Sequence, residues 1–150
     1  LSGANLSRAN LSRVNLNREN LREANLEQAS LSRAYLLQAN LEKAILFQAN
    51  LNQANLLGAC LQNADLQAAR LVRANLTAAI LSETIFWKSI LTGAVFKRAD
   101  LAKAIFQETN LWCADLNEAD LTSTYFLQVN LNRANLRSAN LRGSLIKKTS

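Results

Sequence analysis

A large apolar residue stands at every fifth position of this chain without a break. Positions 1, 6, 11 and onward to 146 hold 25 Leu, four Phe (Phe86, Phe96, Phe106, Phe126) and Ile146. Call this position i. Two residues earlier, 21 of 30 repeats carry Ala; eight of the rest carry Val, Ser or Thr, and the exception is Glu19. The residue just before i is Asn or Asp in 17 of 30 repeats, and the two after it are mostly polar. Such internal repetition is read first, because it dictates the architecture.

A period of five suits neither ordinary element. On an α-helix five residues advance about 500°, so the Leu would scatter around the axis. On a continuous strand an odd spacing would send them to alternate faces. Each repeat must therefore be extended around i−2 and i, which share parity and point inward, and must then turn. The four Gly (3, 58, 93, 143) all fall at the turn, as turn chemistry favours.

The phenylalanines give the length of a circuit. Phe86, Phe106 and Phe126 are each twenty residues apart, and Ile146 continues the series. In a coil of four repeats they stack directly, ring on ring, about 4.8 Å apart. The neighbouring small positions change in the same stretch (Thr84, Ser89, Thr109, Thr124, Val129), as local repacking requires.

Runs such as Ala9-Asn10-Leu11-Ser12-Arg13, Ala24-Asn25-Leu26-Glu27-Gln28 and Ala64-Asp65-Leu66-Gln67-Ala68 resemble the A-(D/N)-L-x-x motif of the pentapeptide repeat family. The likeness covers the whole chain. It implies an all-β fold, a right-handed quadrilateral β-helix with four repeats per coil. It also implies a protein class numerous in cyanobacteria, mostly without assigned activity. Some members act on DNA gyrase, and others sit beside kinase, membrane or signalling segments. At twenty residues per coil the chain makes about seven and a half coils, a rod roughly 36 Å long. Stability is then nearly one-dimensional, each coil resting on its neighbours.

Composition closes off most chemistry. With no His there is no His-based triad, imidazole metal site or histidine pH switch. Two Cys make neither a disulfide framework nor a four-thiolate zinc site. Four scattered Gly build no phosphate-cradling loop. No catalytic residue, metal ligand or cofactor is implied, and the chain is not read as an enzyme. Asp115, Glu118 and Asp120 cluster, but a convex prism offers no cleft to desolvate them. Cys60 and Cys113 lie more than two coils apart, so no disulfide joins them. Free thiols suit the cytoplasm. The stacked Asn are expected to hydrogen-bond along the rod as amide ladders. Glu23 with Lys43, and Glu83 with Lys103, are expected to form ion pairs between coils. Glu19, in an inward column otherwise of Ala, reaches water if the first coil splays.

The candidate functional feature is apolar residues in polar slots. Flanking the Phe86, Phe106 and Phe126 core ladder are Ile45, Phe47, Ile85, Trp87, Ile105, Tyr125, Leu127 and Leu145, all outward on one face. One coil also carries Ile80, Ile85, Ile90 and Val95 in place of Asn. A continuous exposed apolar surface marks an interaction or assembly site. The expected function is a non-catalytic scaffold that binds a protein partner through this face. A face-mediated or end-to-end homo-oligomer is the other form of partner.

Nucleic acid is disfavoured. Arg13, Arg33, Arg73 and Arg133 share a column, and 133–148 holds five basic residues and no acid, yet +6 is a modest charge and acids interrupt the rod. DNA mimicry toward gyrase needs a negative surface, which this chain lacks. No apolar run approaches the ~20 residues of a membrane span. The chain opens in full register on Leu1, as expected of one repeat domain (1–150) cut from a longer chain. Lys147 and Lys148 at the far end discourage edge-to-edge growth.

Overall fold

The computed structural model describes residues 1–147. Their backbone repeats a five-residue unit: one residue bridges to the neighbouring coil, and the chain then turns. Every bridge is parallel and joins residues twenty apart, from Asn5 with Asn25 to Asp120 with Asn140. Four repeats therefore make one coil, as the Phe spacing predicts.

The hydrogen bonds show how a repeat closes. The N–H of i donates to the next coil, as Leu6 does to the Asn25 carbonyl (2.7 Å), and so does the N–H of i+2, as Arg8 to Glu27 (2.8 Å). The N–H of i−1 donates to the preceding coil, as Asn25 to Ala4 (2.9 Å). The N–H of i+3 closes the corner onto the carbonyl of i, as Ala9 to Leu6 (3.1 Å). Nearly every backbone donor is thus committed, and Pro would remove one.

The corner has a fixed backbone signature. All 29 described i+2 residues, 25 non-glycine and four glycine, have φ between 50° and 70°. A positive φ at the third turn residue alone is the type II pattern. A left-handed backbone is worst for β-branched side chains. Arg, Gln, Glu, Lys, Ser, Ala, Asn, Cys and Gly occupy this slot, and Val, Ile and Thr never do.

The corners frame a column of buried Leu, Phe and Ala running from Leu16 to Val129, with the outermost Leu partly covered at either end. At two corners the pattern fails. The turn bond, 2.9–3.3 Å elsewhere, is absent after Phe106 and Phe126. There the chain stays extended as β1 (Ile105–Gln107) and β2 (Tyr125–Leu127), which pair in parallel with β3 (Leu145–Lys147) in the order β1-β2-β3. The register is Ile105–Tyr125–Leu145, Phe106–Phe126–Ile146 and Gln107–Leu127–Lys147. Lys148, expected at the charged far end, lies outside the described residues.

Glu19 is exposed, as is Val14 in the same coil. The ladder survives there, since Asn40 N–H still donates to the Glu19 carbonyl at 2.9 Å.

Candidate interaction face

The inner wall of the face is aromatic. Phe86 and Phe106 stack with ring centres 4.6 Å apart and planes 3° from parallel; Phe106 and Phe126 stack at 5.2 Å and 4°. Phe96, from the opposite wall, meets Phe86 and Phe106 edge-on at 6.2 and 6.5 Å. In such perpendicular contacts a positive ring edge meets a negative ring face. The sequence ladder did not include Phe96, although its place ten residues from Phe86 and Phe106, half a coil away, was the available signal.

Bulky rings need small neighbours, and several of these are hydroxylic. The Thr84 hydroxyl donates to the Leu61 carbonyl and that of Thr124 to the Leu101 carbonyl, each at 2.8 Å. The Phe86 carbonyl accepts from both Ser89 Oγ (2.9 Å) and Thr109 Oγ1 (2.5 Å). Among the described residues no buried side-chain nitrogen or oxygen lacks a partner. Burial of these hydroxyls therefore carries no unpaired-group penalty.

The outer surface of the same strands is apolar. One column runs Ile85, Ile105, Tyr125, Leu145; the parallel one runs Trp87, Gln107, Leu127, Lys147. Ile105, Tyr125, Leu145, Trp87 and Leu127 are exposed, Tyr125 by 51%. Between the columns lies a hollow of about 310 Å³, lined by Ile105, Phe106, Gln107, Tyr125, Phe126, Leu127, Leu145 and Lys147. The rings of Phe106 and Phe126 are buried, so the main chain forms its floor.

Ile45 and Phe47 belong to this face but not to this strip. Asp65 bridges Ile45 on one side and Ile85 on the other, placing a carboxylate in the column. Ile45 is exposed, whereas Phe47 and Ile85 are half-buried. The surface expected to be continuous from 45 to 145 is thus divided at Asp65 and Gln67. Trp112, exposed on the adjacent face with the Arg133 guanidinium 5.9 Å from its ring centre, was not singled out by the sequence. Its signal was an indole in a polar i+1 slot.

A polar clamp fixes Trp87. Its indole N–H donates to Glu108 Oε1 at 3.2 Å, Lys88 Nζ lies 4.6 Å from its ring centre, and Lys88 pairs with Glu108 Oε2 at 3.6 Å. The indole hydrogen bond, with the Lys88 charge behind it, holds the Glu108 carboxyl below its usual range.

The Asn slot works differently from the expected ladder. In all 17 Asn/Asp repeats the side-chain Oδ1 accepts the N–H two residues on, as Asn5 from Ser7 at 3.1 Å and Asp65 from Gln67 at 2.9 Å. That i+1 N–H is the donor the coil ladder leaves over, and an Asx turn captures it. Within this slot, among the described residues, amides or carboxylates join along the rod only at Asn75–Asn55, Asn135–Asp115 and Asn140–Asp120. The coil with Ile80, Ile85, Ile90 and Val95 has no such cap, and the N–H groups of Ser82, Trp87, Thr92 and Lys97 find no acceptor among the described residues.

Of the two expected ion pairs, Lys103–Glu83 forms at 3.7 Å. The Glu23–Lys43 pair does not; Glu23 lies 3.4 Å from Arg22, which also binds Glu42 of the next coil, and the nearer guanidinium wins. Arg98 and Glu118 pair at 2.7 Å; their hydrogen bond raises the arginine's pKa and lowers the carboxyl's. Cys60 and Cys113 are free and partly exposed. Among the described residues no cluster of His, Cys, Asp and Glu could hold a metal ion, and no helix is long and apolar enough to cross a membrane.

These features define a parallel β-solenoid of five-residue units. The chain belongs to the pentapeptide repeat family: the Pentapeptide repeats profile matches in eight copies, over residues 1–36, 20–58, 29–67, 59–98, 79–111 and 114–149. Members of this family form right-handed quadrilateral β-helices.

Among solved structures it is similar to HetL, a pentapeptide repeat protein involved in heterocyst differentiation regulation from the cyanobacterium Nostoc sp. strain PCC 7120. They share 30% identity and a TM-score of 0.57 over 99% of this chain and 73% of that one. It is also similar to a pentapeptide repeat protein of the Arabidopsis thaliana thylakoid lumen, with 35% identity and a TM-score of 0.62 over 63% of this chain and 66% of that one. No curated protein matches the chain.

Proposed function

We propose that this chain is a non-catalytic scaffold domain that holds a protein partner on the strip formed by Ile85, Ile105, Tyr125, Leu127 and Leu145, with Trp87 at its edge. The supporting observation is that the exposed apolar column lies on the only three-residue strands among the described residues, backed by stacked Phe rings. A rigid backing lets exposed aromatic and aliphatic groups act as preformed anchors with little ordering cost. A regulatory setting follows from the likeness to HetL. A cytoplasmic location rests on the two free thiols. DNA mimicry is set aside because a site shaped for phosphates calls for negative charge and this chain carries +6.

A photo-crosslinking amino acid at Gln107, mid-strip, tests the reading against the same group at Asn117 on the opposite face. The expected result is a protein adduct at position 107 and none at 117. Equal labelling at both positions, or labelling at neither, overturns it.

A further inference from the structure

We propose that a second copy of this chain covers the strip, packed antiparallel about a two-fold axis midway between Ile105 and Tyr125. This deepens the interface reading above and rests on it. A two-fold axis lying in the face and perpendicular to the rod sets each outward column against itself in reverse order. Ile85 then meets Leu145 of the second copy, and Ile105 meets its Tyr125. The rungs have the same spacing in both copies, so all four contacts of this column form together.

The charges favour this arrangement over a parallel one. Glu83 and Lys103 neutralise each other at one corner of the face, and Lys88 and Glu108 do so at the other. Among the described residues Lys147 is in no ion pair. In the antiparallel arrangement its ammonium lands on the rung of Trp87, where an indole face and the Glu108 carboxylate are already held together at 3.2 Å. An ammonium is attracted by both. A parallel pair would instead exchange the two columns and set Lys147 over Leu145, away from the Trp87 rung and the Glu108 carboxylate. The antiparallel corners place Lys103 opposite Ser123 and Glu108 opposite Gln128, so neither of these charges meets a like one. The strip is only four rungs long, so the association is of the weak, concentration-dependent class.

The test uses two proteins in a Cys60→Ser, Cys113→Ser background, one carrying Ile85→Cys and the other Leu145→Cys. Under mild oxidation the mixture is expected to form a covalent dimer, and neither protein alone, because like positions lie about 14 Å apart along the rods. Sedimentation of the unmodified chain from about 10 μM to about 1 mM is expected to show a reversible dimer that Lys147→Glu weakens about tenfold. No cross-link in the mixture, or a cross-link with Ile85→Cys alone, overturns the proposal. A chain that stays monomeric while the probe at Gln107 captures a different protein overturns self-pairing and leaves the interface standing. A monomer whose probe captures nothing overturns both.

Discussion

The side-chain oxygen of Asn17 accepts the N–H of Leu37, one coil further on, at 2.8 Å. Leu37 follows a repeat in which Tyr35 has replaced the usual Asn, so the local cap is missing and the coil beneath supplies it. Asn52 serves Val72 in the same way, at 2.9 Å, beside Arg70. An apolar or bulky outward residue is thus tolerated where a neighbour can take over the stranded donor.

Asn17→Ala should therefore cost about 1 kcal/mol, the scale of one partly buried hydrogen bond. Adding Tyr35→Asn should recover most of the loss by restoring a local cap. Urea unfolding midpoints decide; an unchanged midpoint in the single variant would show that the bond contributes nothing.

Where nothing takes over, the amides should be labile. Hydrogen exchange at Ser82, Trp87, Thr92 and Lys97 is expected to be faster than at Thr77 and Ala102, which Asn75 and Asp100 cap at 3.1 and 3.0 Å. Ile80→Asp should slow exchange at Ser82 alone. Uniform rates across all six amides would contradict the assignment.

The left-handed corners predict opposite effects for adjacent alanines. Ala68 holds φ at 54°, where a Cβ costs about 1–2 kcal/mol. Glycine there also raises unfolded-chain entropy, by up to about 1 kcal/mol, leaving Ala68→Gly stabilising by about 0.5 kcal/mol. Ala69 is buried with ordinary φ, and Ala69→Gly should cost about 1 kcal/mol. Denaturation of both variants gives the two signs.

Phe106 touches rings on three sides, so Phe106→Ala should cost about 3–5 kcal/mol. Phe106→Leu should cost far less, because most of the buried apolar volume is kept. Urea unfolding midpoints of the two variants check the order; equal losses would contradict it.

Glu118 gives a pH dependence whose sign follows from its lowered pKa. A carboxyl held down by Arg98 in the folded chain stabilises it above the ordinary carboxylate range, and the gain is lost as pH falls through the folded value. Glu118→Gln should thus lower Tm at neutral pH and converge with the parent in acid. High salt should shrink the difference, because the pair is exposed. A gap that persists in strong acid would rule out the carboxylate as its source.

The inward half of the repeat was legible because burial constrains it tightly: Leu at i, Ala at i−2, and stacked Phe every twenty residues. The outward half was less so. The visible Asn column suggests a ladder, whereas its true partner, the i+1 N–H, becomes conspicuous only when every other backbone donor is accounted for. The absence of Val, Ile and Thr at i+2 was visible in the sequence, but its cause is a backbone angle. Glu23 shared a column with Lys43, yet Arg22 lay closer. Asp65 stood in the apolar column all along; its effect depended on the order of rungs, in which a single coil is enough to divide a surface.

Pairing at a constant separation of twenty makes the fold a device for keeping frame. Insertion of one repeat before position 85 would leave every corner and ladder bond satisfiable, yet it would rotate all later residues by a quarter turn relative to the coils before them. Whatever docks across the junction would lose its site while the rod stayed folded. Insertion of four repeats would lengthen the rod by about 4.8 Å and return each column to its own face. Surfaces on such a scaffold can therefore diverge by substitution at any position, but by insertion or deletion only in whole coils.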